Sequence, residues 1–397
     1  MNPLSDRINR LSESETLAMA RKSRELKALG HNVINLSLGE PDFFTPGNIK
    51  EAGKSAIDNN HSFYTPVNGY LELRQAICEK LSRDNKLEYT PEQIVVSTGA
   101  KQSIANAVLC LVNPGEEVIV PSPFWVSYRE IVKMAEGVEV TIQAGIENDF
   151  KITADQLEAA ITPKTKLFMF SSPCNPTGSV YSREELQQLA GVFARHPHVY
   201  ILADEIYEHI NFSGAHESIA QFEEVRDQVI IINGVSKGFA MTGWRLGYMA
   251  ANLEIAKACN KLQGQITSGT CSIAQMAGVE AMKTDPATTR PMLDKFRERR
   301  DLVLRLMKDI PGIKTNEPQG AFYVFANVKE FFGKSDGTTR VENAPDLCMY
   351  LLNKVFVAMV PGDAFGDPDC VRLSYATSND LLEEAISRIR RALEELK

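Results

Sequence analysis

Between residues 94 and 250 the chain alternates short, nearly uninterrupted apolar runs with longer amphipathic stretches, and this limits its possible folds more than any other feature. The runs are IVVSTG (94–99), EVIVPSP (117–123), KLFMFSSP (166–173), VYILADE (199–205), VIIINGVSK (229–237) and RLGYMAA (245–251). A strand with water on one face alternates apolar and polar residues, whereas one covered on both faces reads as continuous Val, Ile, Leu and Phe. Between the runs, QSIANAVLCLV (102–112) and SREELQQLAGVFARH (182–196) carry apolar residues at helical spacing. Ser182, followed three residues later by Glu185, predicts a capping box. The pattern predicts an α/β fold with an open, mostly parallel central sheet.

From about residue 286 the pattern changes. A charged helical stretch (292–310) leads into GAFYVFANV (320–328), then LCMYLLNKV, VAMVPG and VRLSYA. The last predicted helix puts Leu382, Ile386, Ile389 and Leu393 on one face. This order suits a smaller α+β domain, which the N-terminal 40 or so residues, too few to fold alone, would complete. The expected division is a large domain over 45–285 and a small domain of 1–44 with 286–397, consistent with a length of 397 residues. The most loop-like segment is 329–345.

Charge and cysteine usage exclude several classes. With 43 Lys and Arg against 51 Asp and Glu, the net charge of -8 argues against a nucleic-acid partner. No apolar run approaches the roughly 18 residues of a membrane helix, and the polar N-terminal stretch lacks the apolar core of a signal peptide. Seven cysteines without a CxxC pair argue against a disulfide framework or a zinc cluster. The expectation is a cytoplasmic protein with no metal and no membrane partner.

In open α/β sheets ligands bind beyond the carboxyl ends of the strands. The segments following the predicted strands are Gly99-Ala100-Lys101, Pro173-Cys174-Asn175-Pro176-Thr177-Gly178, Asp204-Glu205-Ile206-Tyr207 and Ser236-Lys237. Lys237 follows a fully apolar strand, where desolvation would favour its neutral, nucleophilic amine, and Arg245 offers a fixed charge for a phosphate eight residues on. A lone lysine after a strand is more often solvated. Gly234-Val235-Ser236-Lys237-Gly238 also matches a nucleophile elbow, but that order needs a histidine after the serine, and the last of the six histidines is His216. Gly333-Lys334-Ser335 resembles a P-loop tail without its upstream glycine, Val328 standing there. His196 and His198, flanking Pro197, read as a turn.

Together these residues resemble the class I aminotransferases, pyridoxal-phosphate enzymes of fold type I. Gly234-Val235-Ser236-Lys237, Arg245 and Gly247 are similar to the family's lysine-attachment signature, spacing included. Asn175-Pro176-Thr177-Gly178, Asp204-Glu205-Ile206-Tyr207, Pro318-Gly320-Ala321-Phe322-Tyr323 and Arg372-Leu373-Ser374 follow in the family's order. The resemblance runs from about Ser14 to the C-terminus and is strongest to prokaryotic beta-type aspartate aminotransferases, some of which act on prephenate. It implies that Lys237 holds pyridoxal 5'-phosphate covalently and later moves the substrate proton, with Asp204 at the pyridine nitrogen. Tyr207 and Asn175 would bond the ring's phenolic oxygen and Trp125 would cover its face. Backbone N–H groups of Ala100 and Lys101 at a helix N-terminus, with Ser236 and Arg245, would hold the phosphate. Tyr64 would reach the phosphate of a second subunit, implying a homodimer with shared sites.

For the substrate, the resemblance implies that Arg372 binds the α-carboxylate as a bidentate pair, with the backbone of Gly39 beside it. Lys101, with Thr16 and Ser14 closing from the N-terminus, would meet a second carboxylate. The segment 264–275 contains no arginine, unlike the subunit-crossing arginine of alpha-type enzymes. The expected reaction moves the amino group of aspartate to 2-oxoglutarate. The alternatives are a prephenate or broader aromatic aminotransferase and a carbon–sulfur β-lyase, the latter having no use for a second cation. An aminotransferase-like transcription regulator would need an added DNA-binding region, whereas about 40 polar residues precede the matching region and the chain is acidic, which disfavours that reading.

Overall fold

The computed structural model describes residues 3–397. Its main sheet has seven strands, in the spatial order Ile94–Ser97, Gly247–Ala250, Val229–Gly234, Tyr200–Asp204, Thr165–Ser171, Glu117–Ser122 and Val138–Gln143. All run parallel except Gly247–Ala250, which is antiparallel to both neighbours. The continuous apolar runs have the cause expected of them. Ile119, Phe168, Phe170, Ile201 and Ile231 enter the core on one face, and Val118, Val120, Leu167, Met169, Leu202 and Ile230 the core on the other. Each such side chain contributes roughly 1.5–3 kcal/mol on burial, so a polar substitution on either face is costly.

Two features depart from the sequence reading. RLGYMAA is the antiparallel member of the sheet, and Val138–Gln143 is an additional edge strand. The second alternates polar and apolar residues and buries only Ile142 fully, so it lacks the continuous apolar run that marks its neighbours. The helix Arg183–Phe193 starts as predicted, Ser182 and Glu185 forming a reciprocal capping box.

A second sheet packs beyond the carboxyl ends of the first. It has four antiparallel strands in the order Val360–Pro361, Cys370–Ser374, Tyr323–Asn327 and Lys314–Thr315. The helices Arg290–Lys308, Ala344–Val355 and Asn379–Glu394 cover it, and Leu382, Ile386, Ile389 and Leu393 are buried as their spacing predicts. The N-terminal region joins this layer, because Ile34–Asn35 pairs in parallel with Val357–Ala358. The segment 329–345 is mostly irregular, with a short helical turn at Lys329–Phe331 and a bridge from Ser335 to Arg340. Among the described residues, no helix is long and apolar enough to cross a membrane.

Candidate active site

Where the two sheets meet, a cavity of about 360 Å³ opens beyond the carboxyl edge of the seven-stranded sheet. Its walls include Ala100, Lys101, Trp125, Asn175, Asp204, Tyr207, Ser236, Lys237 and Arg245 from the large sheet and its loops. Arg372 and Tyr323 come from the second sheet, and Ser14, Thr16, Gly39 and Glu40 from the N-terminal region. Of the residues assigned above to the cofactor or substrate, Tyr64 alone lies elsewhere: it is 98% exposed and lines no part of the cavity.

The strand-end rule explains one wall. Asp204 closes its strand and is buried; its Oδ2 accepts from the hydroxyl of Tyr128 at 2.8 Å and its Oδ1 from the Ile206 N–H at 3.2 Å. Burial pushes its carboxyl up to about 6, although the Tyr128 hydrogen bond works the other way. Lys237 lies three residues beyond the end of Val229–Gly234, its Nζ donating to the Gly39 carbonyl at 2.5 Å. Burial pulls its ammonium down to about 8 against the raising effect of Glu40, with Arg372 and Arg245 adding to the fall. An amine poised there is partly neutral at ordinary pH, as a covalent nucleophile requires.

The helix Ala100–Leu111 begins at Gly99, whose φ of 83° favours glycine. A Cβ on Gly99 would stand 2.3 Å from Arg245 Nη2, and one on Gly247 would stand 2.3 Å from the Ala100 nitrogen. These two glycines therefore let a guanidinium and a helix N-terminus approach each other closely, with Ser236 on the same cavity wall. Arg245 is itself left-handed, φ 54°, and its Nη1 donates to the Thr242 carbonyl at 2.8 Å. Fixed N–H donors, a hydroxyl and an arginine form a donor set suited to a phosphate.

The other wall holds Arg372, 2% exposed, between the ring faces of Tyr323 and Phe365 at 4.6 and 4.8 Å. Its Nη1 donates to Asn175 Oδ1 at 2.9 Å and its Nη2 to the Ser37 carbonyl at 2.6 Å. Its buried Nε has no partner, and among the described residues no carboxylate pairs with it. A buried guanidinium held by neutral acceptors retains N–H capacity for an anionic ligand. The Tyr207 and Tyr323 hydroxyls share a hydrogen bond of 2.7 Å. Lys101 stands at the rim with its Nζ 4.9 Å from the centre of the Trp125 ring. Although the residue is exposed overall, partial desolvation, followed by the Arg245 charge, lowers its pKa.

The sequence reading overlooked three residues. Tyr128 lies inside a helix with an ordinary amphipathic pattern, so nothing local marks its hydroxyl as a partner of Asp204. Glu40, bonded to the Thr242 hydroxyl, and Ser37 follow a strand of only two residues. Ser14 is the N-cap of Glu15–Ala28, but its side chain makes no capping hydrogen bond. The donors fit the group expected here. A lysine amine, a buried carboxylate, two phenols, an indole and a phosphate-type cradle together suit pyridoxal phosphate.

The family model for class I and II aminotransferases matches residues 31–389. The chain is 47% identical to the bifunctional aspartate aminotransferase and glutamate/aspartate-prephenate aminotransferase of Petunia hybrida, over 99% of this chain and 83% of that protein. The solved aspartate aminotransferase of Rhizobium meliloti superimposes with a TM-score of 0.96 at 40% identity, covering 100% of both chains. That of Thermus thermophilus, solved with maleate, gives a TM-score of 0.92 at 38% identity over 99% of this chain and 100% of that one. Matched along nearly its whole length in both sequence and shape, the chain belongs to the class I and II aminotransferases, pyridoxal-phosphate enzymes that act on amino and oxo acids.

Proposed function

We propose that this aminotransferase moves the amino group of aspartate to 2-oxoglutarate, with prephenate as a second acceptor. The observation that carries this reading is a pair of cations, Arg372 and Lys101, on the cavity that holds Lys237. One meets the α-carboxylate that every amino acid has; the second has work only if the substrate carries another. A thioether substrate would leave Lys101 unused, which disfavours the β-lyase alternative. The similarity to enzymes named for aspartate and prephenate, and to one solved with the dicarboxylate maleate, supports the same substrate class.

When bound, pyridoxal phosphate supplies a ring that accepts the electrons left on Cα after deprotonation. Lys237 holds it covalently and, once released, carries the proton from Cα. The Asp204 carboxylate holds positive charge at the ring nitrogen, while Tyr207 and Asn175 donate to the phenolic oxygen. Trp125 covers the ring, and Ala100, Lys101, Ser236 and Arg245 hold the phosphate. Arg372, with the Gly39 backbone, grips the α-carboxylate as a fork, and Thr16 closes with Lys101 over the distal group.

The assignment extends to assembly. Tyr64, exposed together with its neighbour Phe63, supports a homodimer in which Tyr64 reaches the partner's phosphate site. Residues 45–285 act as one body, and 1–44 with 286–397 as another, the bidentate Asp42–Arg299 pair at 2.7 Å helping to hold the second together. Seven unpaired cysteines support a cytoplasmic setting.

The test is the visible spectrum of the protein reconstituted with pyridoxal phosphate, before and after aspartate alone. Conversion of the lysine-bound band to that of pyridoxamine phosphate, reversed by 2-oxoglutarate or prephenate, is expected. A cofactor spectrum indifferent to aspartate would overturn the substrate assignment.

A further inference from the structure

We infer that Tyr128 is a positioning residue for the cofactor ring, acting through Asp204 and Trp125 together. Its phenol is 1% exposed and donates to Asp204 Oδ2 at 2.8 Å. Its ring meets that of Trp125 edge-on, with centroids 5.6 Å apart at 88°, and its backbone N–H donates to the Trp125 carbonyl at 2.9 Å. One side chain therefore braces both the carboxylate assigned to the ring nitrogen and the indole assigned to the ring face. The inference rests on the proposed placement of pyridoxal phosphate.

The Asp204 carboxylate is short of partners. An ionised carboxylate accepts about four hydrogen bonds, and Asp204 receives two, of which the Tyr128 hydroxyl gives the shorter. The other titratable groups acting with or on Asp204 are Glu205, Lys237, Tyr207 and Cys174. Glu205 disfavours its ionised form and Lys237 favours it. Without the Tyr128 hydroxyl, burial has less to oppose it and Asp204 keeps its proton to higher pH. A protonated Asp204 cannot balance a charged ring nitrogen. A hydrogen bond to a charged group corresponds to about one to two pK units.

A buried tyrosine hydroxyl needs an acceptor whatever its role, so the test must separate tuning of Asp204 from ordinary core packing. The affinity of the Lys237→Ala protein for pyridoxal phosphate, measured against pH by quenching of tryptophan fluorescence, avoids both turnover and the covalent bond. Adding Tyr128→Phe is expected to move the acidic limb of that profile upward by about one to two pH units, with about 10–100-fold weaker binding below it. In an Asp204→Asn background the same change should leave the limb unmoved. An unshifted limb with Asp204 present, or an equal loss in both backgrounds, would overturn the inference. Incorporating 3-fluorotyrosine at Tyr128, a stronger donor of nearly unchanged size, should move the limb down and covers the case in which the Phe variant folds poorly. Failure of the parent protein to bind pyridoxal phosphate at any pH would instead count against the cofactor placement.

Discussion

Two clusters of buried charge lie on either side of the turn after Asp204, and they are built on opposite principles. In the first, Glu208 meets Lys80 in an ion pair, with His209 at 3.1 Å and the Asn85 amide at 3.2 Å. Beside it, Glu205 faces His216 at 3.1 Å and accepts from the Ser218 hydroxyl at 2.5 Å. Burial works to raise the Glu208 carboxyl, yet Lys80, His209 and His216 hold it well below the usual range. In the second cluster burial wins: Asp204 is pushed up, and Lys237 and Arg372 are pulled down. The first cluster neutralises itself, whereas the second leaves charge uncompensated facing a cavity. Residues that cost stability in the empty protein mark where a ligand is expected.

The largest expected effect tests that contrast at its centre. Lys237→Met should abolish transamination, lowering turnover by at least about 10⁴-fold in single-turnover assays, because it removes both nucleophile and proton carrier. Arg372→Lys keeps the charge but loses the fork. It should lower kcat/KM for aspartate by about 10²–10³-fold with little change in cofactor content, as steady-state kinetics would show.

The closed cluster should respond in stability instead. Lys80→Met removes the lysine partner of buried Glu208 and leaves His209 and the Asn85 amide beside it, at a cost of about 3–5 kcal/mol in urea unfolding while KM is unchanged. Because the Glu208 pKa is depressed below its ordinary 4.5, its contribution is present above that value and is lost as pH falls, so the difference between variant and parent should shrink on acidification.

The open cluster predicts the opposite sign for the variant's stability change, although stability again rises with pH. With Lys237 lowered from 10.5 to about 8, the unfolded chain binds more protons between those values, so stability rises with pH there. Apo Lys237→Met should therefore be more stable than the apo parent below about pH 8, by on the order of 3 kcal/mol, with the gap closing toward pH 10.5. An apo variant no more stable than its parent would remove the contrast. Ser182→Ala, remote from both clusters, should cost only about 1 kcal/mol through its lost cap and leave kinetics unaltered.

Legibility followed the same division. Lys237, Asp204, Asn175 and the Ala100 turn were readable because each follows a strand whose continuous apolar run announces burial on both faces, and parallel strands present their ends on one edge. Arg372 was not readable that way. It lies in the middle of the strand Cys370–Ser374, where an arginine in isolation reads as a surface residue, and only the family motif singled it out. Tyr128 had neither signal.

The chain's local patterns by themselves determined the alternating elements, the strand-end chemistry and the family, because hydrophobic period, capping residues and motif spacing are properties of neighbouring residues. Tertiary structure alone decided which charges are satisfied. Whether a buried carboxylate meets Lys80 or only a phenol depends on residues far apart in the chain, such as Tyr128 and Asp204, brought together by packing. Desolvation, which sets the direction of every shift in the open cluster, exists only once the two sheets close around it.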